Sequence, residues 1–193
     1  MNQIMRLNPL KRISELFYEK SNLKVAILCT AIFGAYLVFV MTRQATGFEI
    51  PNSKIKSLGM TFGFKESDIL TFFQLRTEKM LSAYINFNLI WDTLFSLIYG
   101  VMYAVWLSVL FKTSTRKVDI ANLIPFLQVI FDCLENYSLG YLANEYLIDG
   151  TITSSIATLS SYFVMIKCTC SGLTYFAIIL GIGFLFVRLF KKN

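Results

Sequence analysis

Residues 84–111 have the sequence YINFNLIWDTLFSLIYGVMYAVWLSVLF. The stretch is longer than the roughly 20 apolar residues that a helix needs to cross a bilayer. It nevertheless contains one carboxylate, Asp92. Backbone polar groups must be satisfied within a segment that lies in lipid, so the stretch predicts a membrane-spanning helix with an ionisable group inside it.

Three further stretches have the same character, at about residues 25–42, 120–142 and 159–187. The chain has 193 residues, of which 55% are hydrophobic and 16% charged, and its mean hydropathy is +0.58. This composition excludes an ordinary soluble domain and indicates a polytopic membrane protein. We therefore predict an all-α fold with four transmembrane helices, in a single membrane domain that comprises residues 1–193.

Positive charge is distributed unevenly among the segments between these stretches. Eleven of the eighteen Lys and Arg residues fall in the N-terminal segment, the link between spans two and three, and the C-terminal tail. The positive-inside rule assigns these segments to the cytoplasmic side of a bacterial inner (plasma) membrane, with both termini cytoplasmic and segment 43–83 periplasmic. Topology accounts for the net charge of +6, so direct binding to nucleic acid is not expected.

Two shorter helices are predicted outside the spans. Residues 1–24 contain an Asn8-Pro9 helix start followed by apolar residues on one face, which predicts an amphipathic helix on the cytoplasmic surface. In the periplasmic segment, apolar residues recur near helical spacing and predict an outer helix over about 67–82. The link at 112–119 is short, so spans two and three are predicted to be antiparallel neighbours.

Four ionisable residues interrupt the apolar stretches: Asp92, Asp132, Glu135 and Lys167. Such groups cost free energy in a bilayer core unless they are paired, hydrated or neutralised, so they mark a site. With a helix rise of about 1.5 Å per residue, all four are predicted at a similar depth, about 10–15 Å below the outer ends of their spans.

Helical spacing places these groups on polar stripes that face the inside of the bundle. The predicted buried cluster consists of Asn88, Asp92 and Tyr99 on span two, Gln128, Asp132, Glu135 and Asn136 on span three, and Lys167 on span four. Because its carboxylates outnumber its lysine, we expect a shared proton or a bound cation there.

The cluster has three interpretations that the sequence leaves open. It is an ion-pair core that fixes helix register, a pocket for an ion, proton or small polar group, or the acid/base site of an enzyme that acts on a lipid or isoprenoid. A structural core predicts a closed interior in which Lys167 bonds two acids. An enzyme predicts an open cleft that leads to Asp92, Asp132 and Glu135. No metal site or cofactor is expected, because the chain has no histidine and its cysteines lack metal-binding spacing.

Residues 132–136, Asp-Cys-Leu-Glu-Asn, form a D-x-x-E-N element that Asp92 precedes and Lys167 follows. In this D…D-x-x-E-N…K pattern the chain resembles a group of uncharacterised bacterial four-helix integral membrane proteins, over spans two to four. It departs from them at Phe95 and Ser96, in the region where many members have a proline shortly after the first aspartate. The resemblance implies no particular activity.

In size, number of spans and inner termini the chain is also similar to the membrane subunit of the Kiwa antiphage system. That similarity, which rests on architecture alone, implies detection of phage attack at the membrane together with a soluble partner that binds nucleic acid. A role in bacterial antiviral defence is therefore an expectation from the resemblance.

Taken together, these features favour a non-enzymatic inner-membrane protein, a sensor or adaptor or a small oligomeric pore, over the enzyme, and no catalytic residue is assigned. Four helices enclose little volume, so conduction would need the axis of a homo-oligomer. The expected partners are the lipid bilayer, further copies of this chain and a cytoplasmic protein.

Overall fold

Six helices make up most of the chain that the structure describes. The computed structural model covers residues 9–51, 57–112 and 120–190, with side chains up to residue 187. The predicted cap at Asn8 and most of the 112–119 link lie outside these residues. The helices are α1 (Pro9–Lys20), α2 (Leu23–Ala45), α3 (Glu66–Gln74), α4 (Glu78–Phe111), α5 (Ile124–Asp149) and α6 (Ser154–Phe190). The described part of the chain is all-α, as predicted.

Three of the described helices are long and apolar enough to cross a membrane: α2, α4 and, within α6, Ser154–Val187. The 26-residue helix α5 is not among them. Its hydropathy is lowered by the polar stripe along its middle, and all four members of that stripe are buried, namely Gln128, Asp132, Glu135 and Asn136. A membrane-spanning role for α5 therefore rests on its packing and not on its composition.

Helix α5 lies against both α4 and α6. Gly100 of α4 approaches α5 so closely that an added Cβ would lie 2.4 Å from Cγ2 of Val129. Where α5 contacts α6, Ser160 of α6 donates a hydrogen bond to Ser138 of α5 at 2.7 Å. Small residues permit such close helix contacts, and they bring the polar faces of the three helices within reach of one another.

Aromatic side chains of residues 43–83, called the outer segment after the side of the membrane predicted for it, pack with Tyr84 of α4 at one end of this bundle. Phe48, Phe72, Phe73 and Tyr84 pack in tilted or edge-to-face contacts, and each is 1% exposed or less. Arg76 donates hydrogen bonds to the carbonyls of Phe48 and Phe72, and its guanidinium lies 3.3 Å from the centre of the Phe72 ring. Burial lowers the pKa of Arg76, but a guanidinium stays charged at neutral pH.

The outer helix predicted over 67–82 is divided between two helices, α3 and the first turns of α4. The chain breaks helical geometry at residues 75–77, because Thr77 caps the start of α4 by accepting a hydrogen bond from a backbone N–H of its first turn. Asp68 accepts a hydrogen bond from the backbone N–H of Lys65 at 2.7 Å, which starts α3 one residue earlier than expected.

Two short π-helical segments, Leu37–Met41 in α2 and Phe87–Asp92 in α4, lie against each other. A π turn displaces backbone carbonyls from their α-helical partners, and such turns are frequent at functional sites. The hydroxyl of Tyr36 donates a hydrogen bond to the carbonyl of Trp91 at 3.0 Å. This bond gives a partner to a carbonyl inside a candidate span, where lipid would offer it none.

Helix α1 docks on the opposite end of the bundle. Ser14 donates a hydrogen bond to Oδ1 of Asn122 at 2.7 Å, and Nδ2 of Asn122 donates to the carbonyl of Ser14 and to Oγ of Ser108. Tyr18 is 1% exposed against the same region. The other face of α1 is apolar and exposed, with Leu10, Ile13 and Leu16.

Candidate functional site

Lys167 of α6 lies at the centre of the buried polar cluster. Its Nζ forms an ion pair with Oδ1 of Asp132 at 3.1 Å and a second ion pair with Oε2 of Glu135. The two acids are one turn apart on α5 and are 4% and 1% exposed. One ammonium therefore offsets two buried carboxylates and joins α6 to α5.

Tyr99 connects α4 to the same point. Its hydroxyl donates a hydrogen bond to Oδ2 of Asp132 at 2.7 Å. Both carboxylate oxygens of Asp132 thus have partners, one from α6 and one from α4. A buried carboxylate that is bonded on both oxygens is held in one orientation.

The outer segment also reaches this cluster, through the 3-10 turn Leu58–Met60. Nζ of Lys167 donates a hydrogen bond to the carbonyl of Gly59 at 3.3 Å. A Cβ added to Gly59 would lie 2.6 Å from Oε1 of Glu135, so the backbone itself fills this space. Lys167 is about 20 Å along α6 from its first residue. Non-helical backbone at membrane depth is tolerated only where it is buried in protein or lines a cavity.

An open cavity with a volume of about 450 Å³ adjoins the ion pairs. Six members of the predicted cluster line it, namely Asn88, Asp92, Tyr99, Gln128, Asp132 and Lys167. The rest of its lining is largely apolar and comes from α2, α4, α6 and the segment after α2, and it includes Phe33, Leu37, Met41, Phe87 and Phe95. The cavity therefore combines polar groups on one side with apolar walls on the other.

Asp92 differs from the other two acids in its surroundings. It belongs to the π-helical segment of α4 and lines the cavity. Within the described residues no Lys or Arg forms an ion pair with Asp92. Asp132 and Lys167 act on it electrostatically, but the ammonium of Lys167 is already bonded to Asp132 and Glu135.

Two buried amides of α5 carry polar atoms that have no hydrogen-bond partner in the described part of the chain. They are Oε1 of Gln128 and both amide atoms of Asn136, and the residues are 6% and 1% exposed. Asn88, by contrast, donates a hydrogen bond to the carbonyl of Tyr84 at 2.8 Å. Buried polar atoms without partners are rare in native proteins, and each one requires an explanation such as a bound molecule.

The site has features of both the closed structural core and the open cleft that the sequence left as alternatives. Lys167 bonds two acids, as a structural core predicts. The interior is not closed, however, because Asp92 and Asp132 line the open cavity. Glu135 is not among the residues that line it, so the acids divide into a paired set on α5 and a separate cavity carboxylate, Asp92.

No family model, curated protein or solved structure matches this chain. Within the described residues, no group of three or more His, Cys, Asp and Glu side chains is arranged to hold a metal ion. Function is therefore inferred from the residues of the site and their geometry.

Gly59 is the cluster residue that sequence reasoning missed. A signal was present, since Gly59 and Gly63 are four residues apart in a segment that also carries the apolar Met60 and Phe62. Glycines allow close approach of the backbone. Gly63 has a φ of 81° and lies against Met165 of α6, so this stretch packs on the bundle at both glycines.

Proposed function

We propose that this chain is a non-enzymatic inner-membrane sensor or adaptor, in which the buried ion pairs couple the outer segment to the cytoplasmic end. The position of Lys167 carries this proposal. Its ammonium bonds the carboxylates of Asp132 and Glu135 and the carbonyl of Gly59. A single side chain therefore joins the outer segment to both α5 and α6.

The proposed topology has four spans, with α5 as the fourth membrane-spanning helix. Its polar stripe is buried between α4 and α6. Its opposite face is exposed and carries Leu127, Ile130, Leu134 and Tyr137, which suits contact with lipid. An even number of spans agrees with the positive-inside rule, which puts both termini in the cytoplasm.

A route for the coupling exists at the other end of α5. Asn122 lies in the 3-10 turn that leads into this helix and holds α1 through Ser14. A small shift or rotation of α5, the kind of helix movement that operates in many switches, would displace Asn122 and so change the docking of α1. A structural change at the outer segment would then alter the position of α1, which a cytoplasmic partner contacts.

Gly59→Ala tests this coupling, because the added methyl group would force apart the 3-10 turn and the carboxylate of Glu135, by movement of either one. We expect amide hydrogen exchange of the protein in nanodiscs to become faster over residues 57–64 and also over α1. The matched control is Gly34→Ala in α2, where nothing lies within 4 Å of the added Cβ, and it should change neither region. Faster exchange that stays confined to the outer segment would contradict the coupling and favour a purely structural cluster.

The proposal has a second form, a small pore built from a homo-oligomer with its path along the common axis. Cross-linking in native membranes counts the copies of the chain. Cation flux into liposomes that falls in an Asp92→Ala variant would favour the pore. Several cross-linked copies without flux would favour the sensor or adaptor.

An enzyme that acts on a lipid or isoprenoid is the alternative candidate, and the open cavity is the observation in its favour. Asp92 and Asp132 line the same apolar-walled space, where carboxylates could act as acid and base. Incubation with a bacterial lipid extract, followed by mass spectrometry, tests this candidate. A product that wild type forms and Asp92→Asn does not form would favour the enzyme over the sensor.

The proposed sensor fits a component of bacterial antiviral defence, on the basis of the similarity to the Kiwa membrane subunit described above. Its partner would then be a soluble cytoplasmic protein. Phage plaque counts on cells that carry the gene with its genomic neighbours, compared with cells that carry the Lys167→Met variant, test this role. Equal counts in both would argue against it.

A further inference from the structure

The cavity beside the ion pairs has the size of a site for a small organic molecule. Its volume is about 450 Å³, whereas one water molecule occupies roughly 30 Å³ in the liquid. An inorganic cation would leave most of this space unfilled. Cavities of this kind, mostly apolar with a few converging polar groups, are typical ligand sites.

The charge balance of the cavity favours a positive ligand. Asp92 and Asp132 line it, and Glu49 lies along its edge. Lys167 also lines it, but its ammonium is bonded to Asp132, Glu135 and a backbone carbonyl. Asp92 therefore has no ion-pair partner among the described residues, which favours a cationic ligand, and an anionic ligand would be repelled.

Gln128 is a second polar group of the cavity, at some distance from Asp92. Its side chain lines the cavity, the residue is 6% exposed, and Oε1 has no hydrogen-bond partner among the described residues. An amide oxygen accepts hydrogen bonds and cannot donate them, so the missing partner is a donor. Gly100 of α4 lies against Val129, which is next to Gln128. Asp92 is eight residues further along α4, about 12 Å at the helix rise, so one ammonium cannot bond both side chains. The ammonium therefore belongs at Asp92, where a primary ammonium also donates hydrogen bonds to the carboxylate, whereas a quaternary ammonium offers charge without an N–H.

The apolar walls indicate what else the ligand carries. Phe33 of α2 and Phe95 of α4 stack with their ring centres 5.3 Å apart, and both line the cavity beside Leu37. Aromatic faces attract cations, and the same surfaces bury hydrocarbon favourably. An alkyl group attached to the ammonium would lie along this wall.

We propose that the cavity binds an amphiphilic primary ammonium ion, with the ammonium at Asp92 and the apolar part along Phe33, Leu37 and Phe95. The inference deepens the proposed function by naming the ligand class of the sensor. A free alkylamine and an ethanolamine lipid headgroup share this chemistry.

Titration calorimetry with octylammonium chloride tests the proposal on the full chain in phosphatidylcholine nanodiscs, with empty nanodiscs as the blank. We expect saturable binding, and weaker binding of octyltrimethylammonium because it has no N–H to donate to the carboxylate of Asp92. Asp92→Asn should weaken octylammonium binding roughly tenfold or more, since a charge-assisted hydrogen bond is lost. The matched control is Asp149→Asn, at the exposed end of α5, which should bind as wild type does.

Three results would overturn the proposal: no saturable binding, equal affinity in wild type and Asp92→Asn, or tighter binding of the trimethylated probe. Size-exclusion profiles and tryptophan fluorescence of Asp92→Asn establish that the variant is folded.

The chain's own Lys54 and Lys56, which lie outside the described residues, are competing sources of an ammonium. If octylammonium binds only to the Lys54→Met, Lys56→Met double variant, a lysine of this chain is the occupant of the cavity, and this result would also overturn the proposal.

Nanodiscs that contain phosphatidylethanolamine distinguish the two sources of the ligand. Octylammonium affinity that falls as this lipid is added identifies the headgroup as the occupant, and unchanged affinity identifies a free amine. Either result supports the proposed chemistry. Binding is measured without reference to α1, so its failure is distinguishable from a failure of the outer-to-inner coupling that Gly59→Ala tests.

Discussion

Replacing Lys167 with methionine removes the ammonium that faces Asp132 and Glu135 while keeping most of the side-chain volume. The two acids are 4% and 1% exposed, and Glu135 does not line the cavity, so water can replace the lysine only at Asp132, from the cavity side. The hydrogen bond to the carbonyl of Gly59 is lost as well. The substitution therefore leaves two carboxylates and one carbonyl without their shared partner.

The expected magnitude follows from these losses. Breaking a buried ion pair by removing one partner costs about 3–5 kcal/mol, because the remaining charge stays buried. A Glu135→Gln, Lys167→Met double variant should recover at least about 1 kcal/mol, since the amide carries no charge and coupled sites are not additive. The double variant thus separates the effect of the uncompensated charge from the loss of packing.

Unfolding in mixed micelles with increasing SDS, followed by the fluorescence of Trp91 and Trp106 in α4, measures the free energy of unfolding. The matched control is Lys79→Met, because Lys79 is exposed and should change stability by less than about 0.5 kcal/mol. A loss below about 1 kcal/mol in Lys167→Met, or no recovery in the double variant, would refute the view that this ammonium offsets the carboxylates.

Two further substitutions test the helix contacts that position the site, by the same unfolding assay. Gly100→Ala places a methyl group on Val129 and should cost about 1–3 kcal/mol, and adding Val129→Ala should restore much of that loss. A Gly100→Ala variant as stable as wild type would contradict the close crossing of α4 and α5. Asn122→Ala removes the amide that bonds Ser14 and Ser108, which should cost about 1–3 kcal/mol and speed hydrogen exchange in α1. Unchanged exchange in α1 would show that this amide does not hold the helix.

The extent to which sequence could predict the site differs from residue to residue. Asp132 and Glu135 are three residues apart in a helical stretch, so the direction of both side chains followed from helix geometry. Lys167 was a cation in an otherwise apolar segment, and pairing was the cheapest way to bury it. The ion pairs were therefore within reach of simple rules of spacing and charge.

The outer turn and the cavity were not predictable in the same way. Gly59 belongs to irregular chain, where no periodicity indicates which neighbour the backbone will touch. The cavity depends on how side chains from four helices fill space, and local sequence does not report that volume. The division of the acids into paired Asp132 and Glu135 and unpaired Asp92 likewise depends on packing.

The π-helical segment Phe87–Asp92 bears on how Asp92 comes to face the cavity. A π turn accommodates one residue more than the α-helical turn it replaces. One residue corresponds to about 100° of rotation around a helix axis. Removing a single residue from this segment would therefore turn the outer part of α4 by about that angle relative to the inner part. The one-residue insertion thus acts as a phase shift: it sets the direction in which the whole outer end of α4 faces, without a change in any side chain.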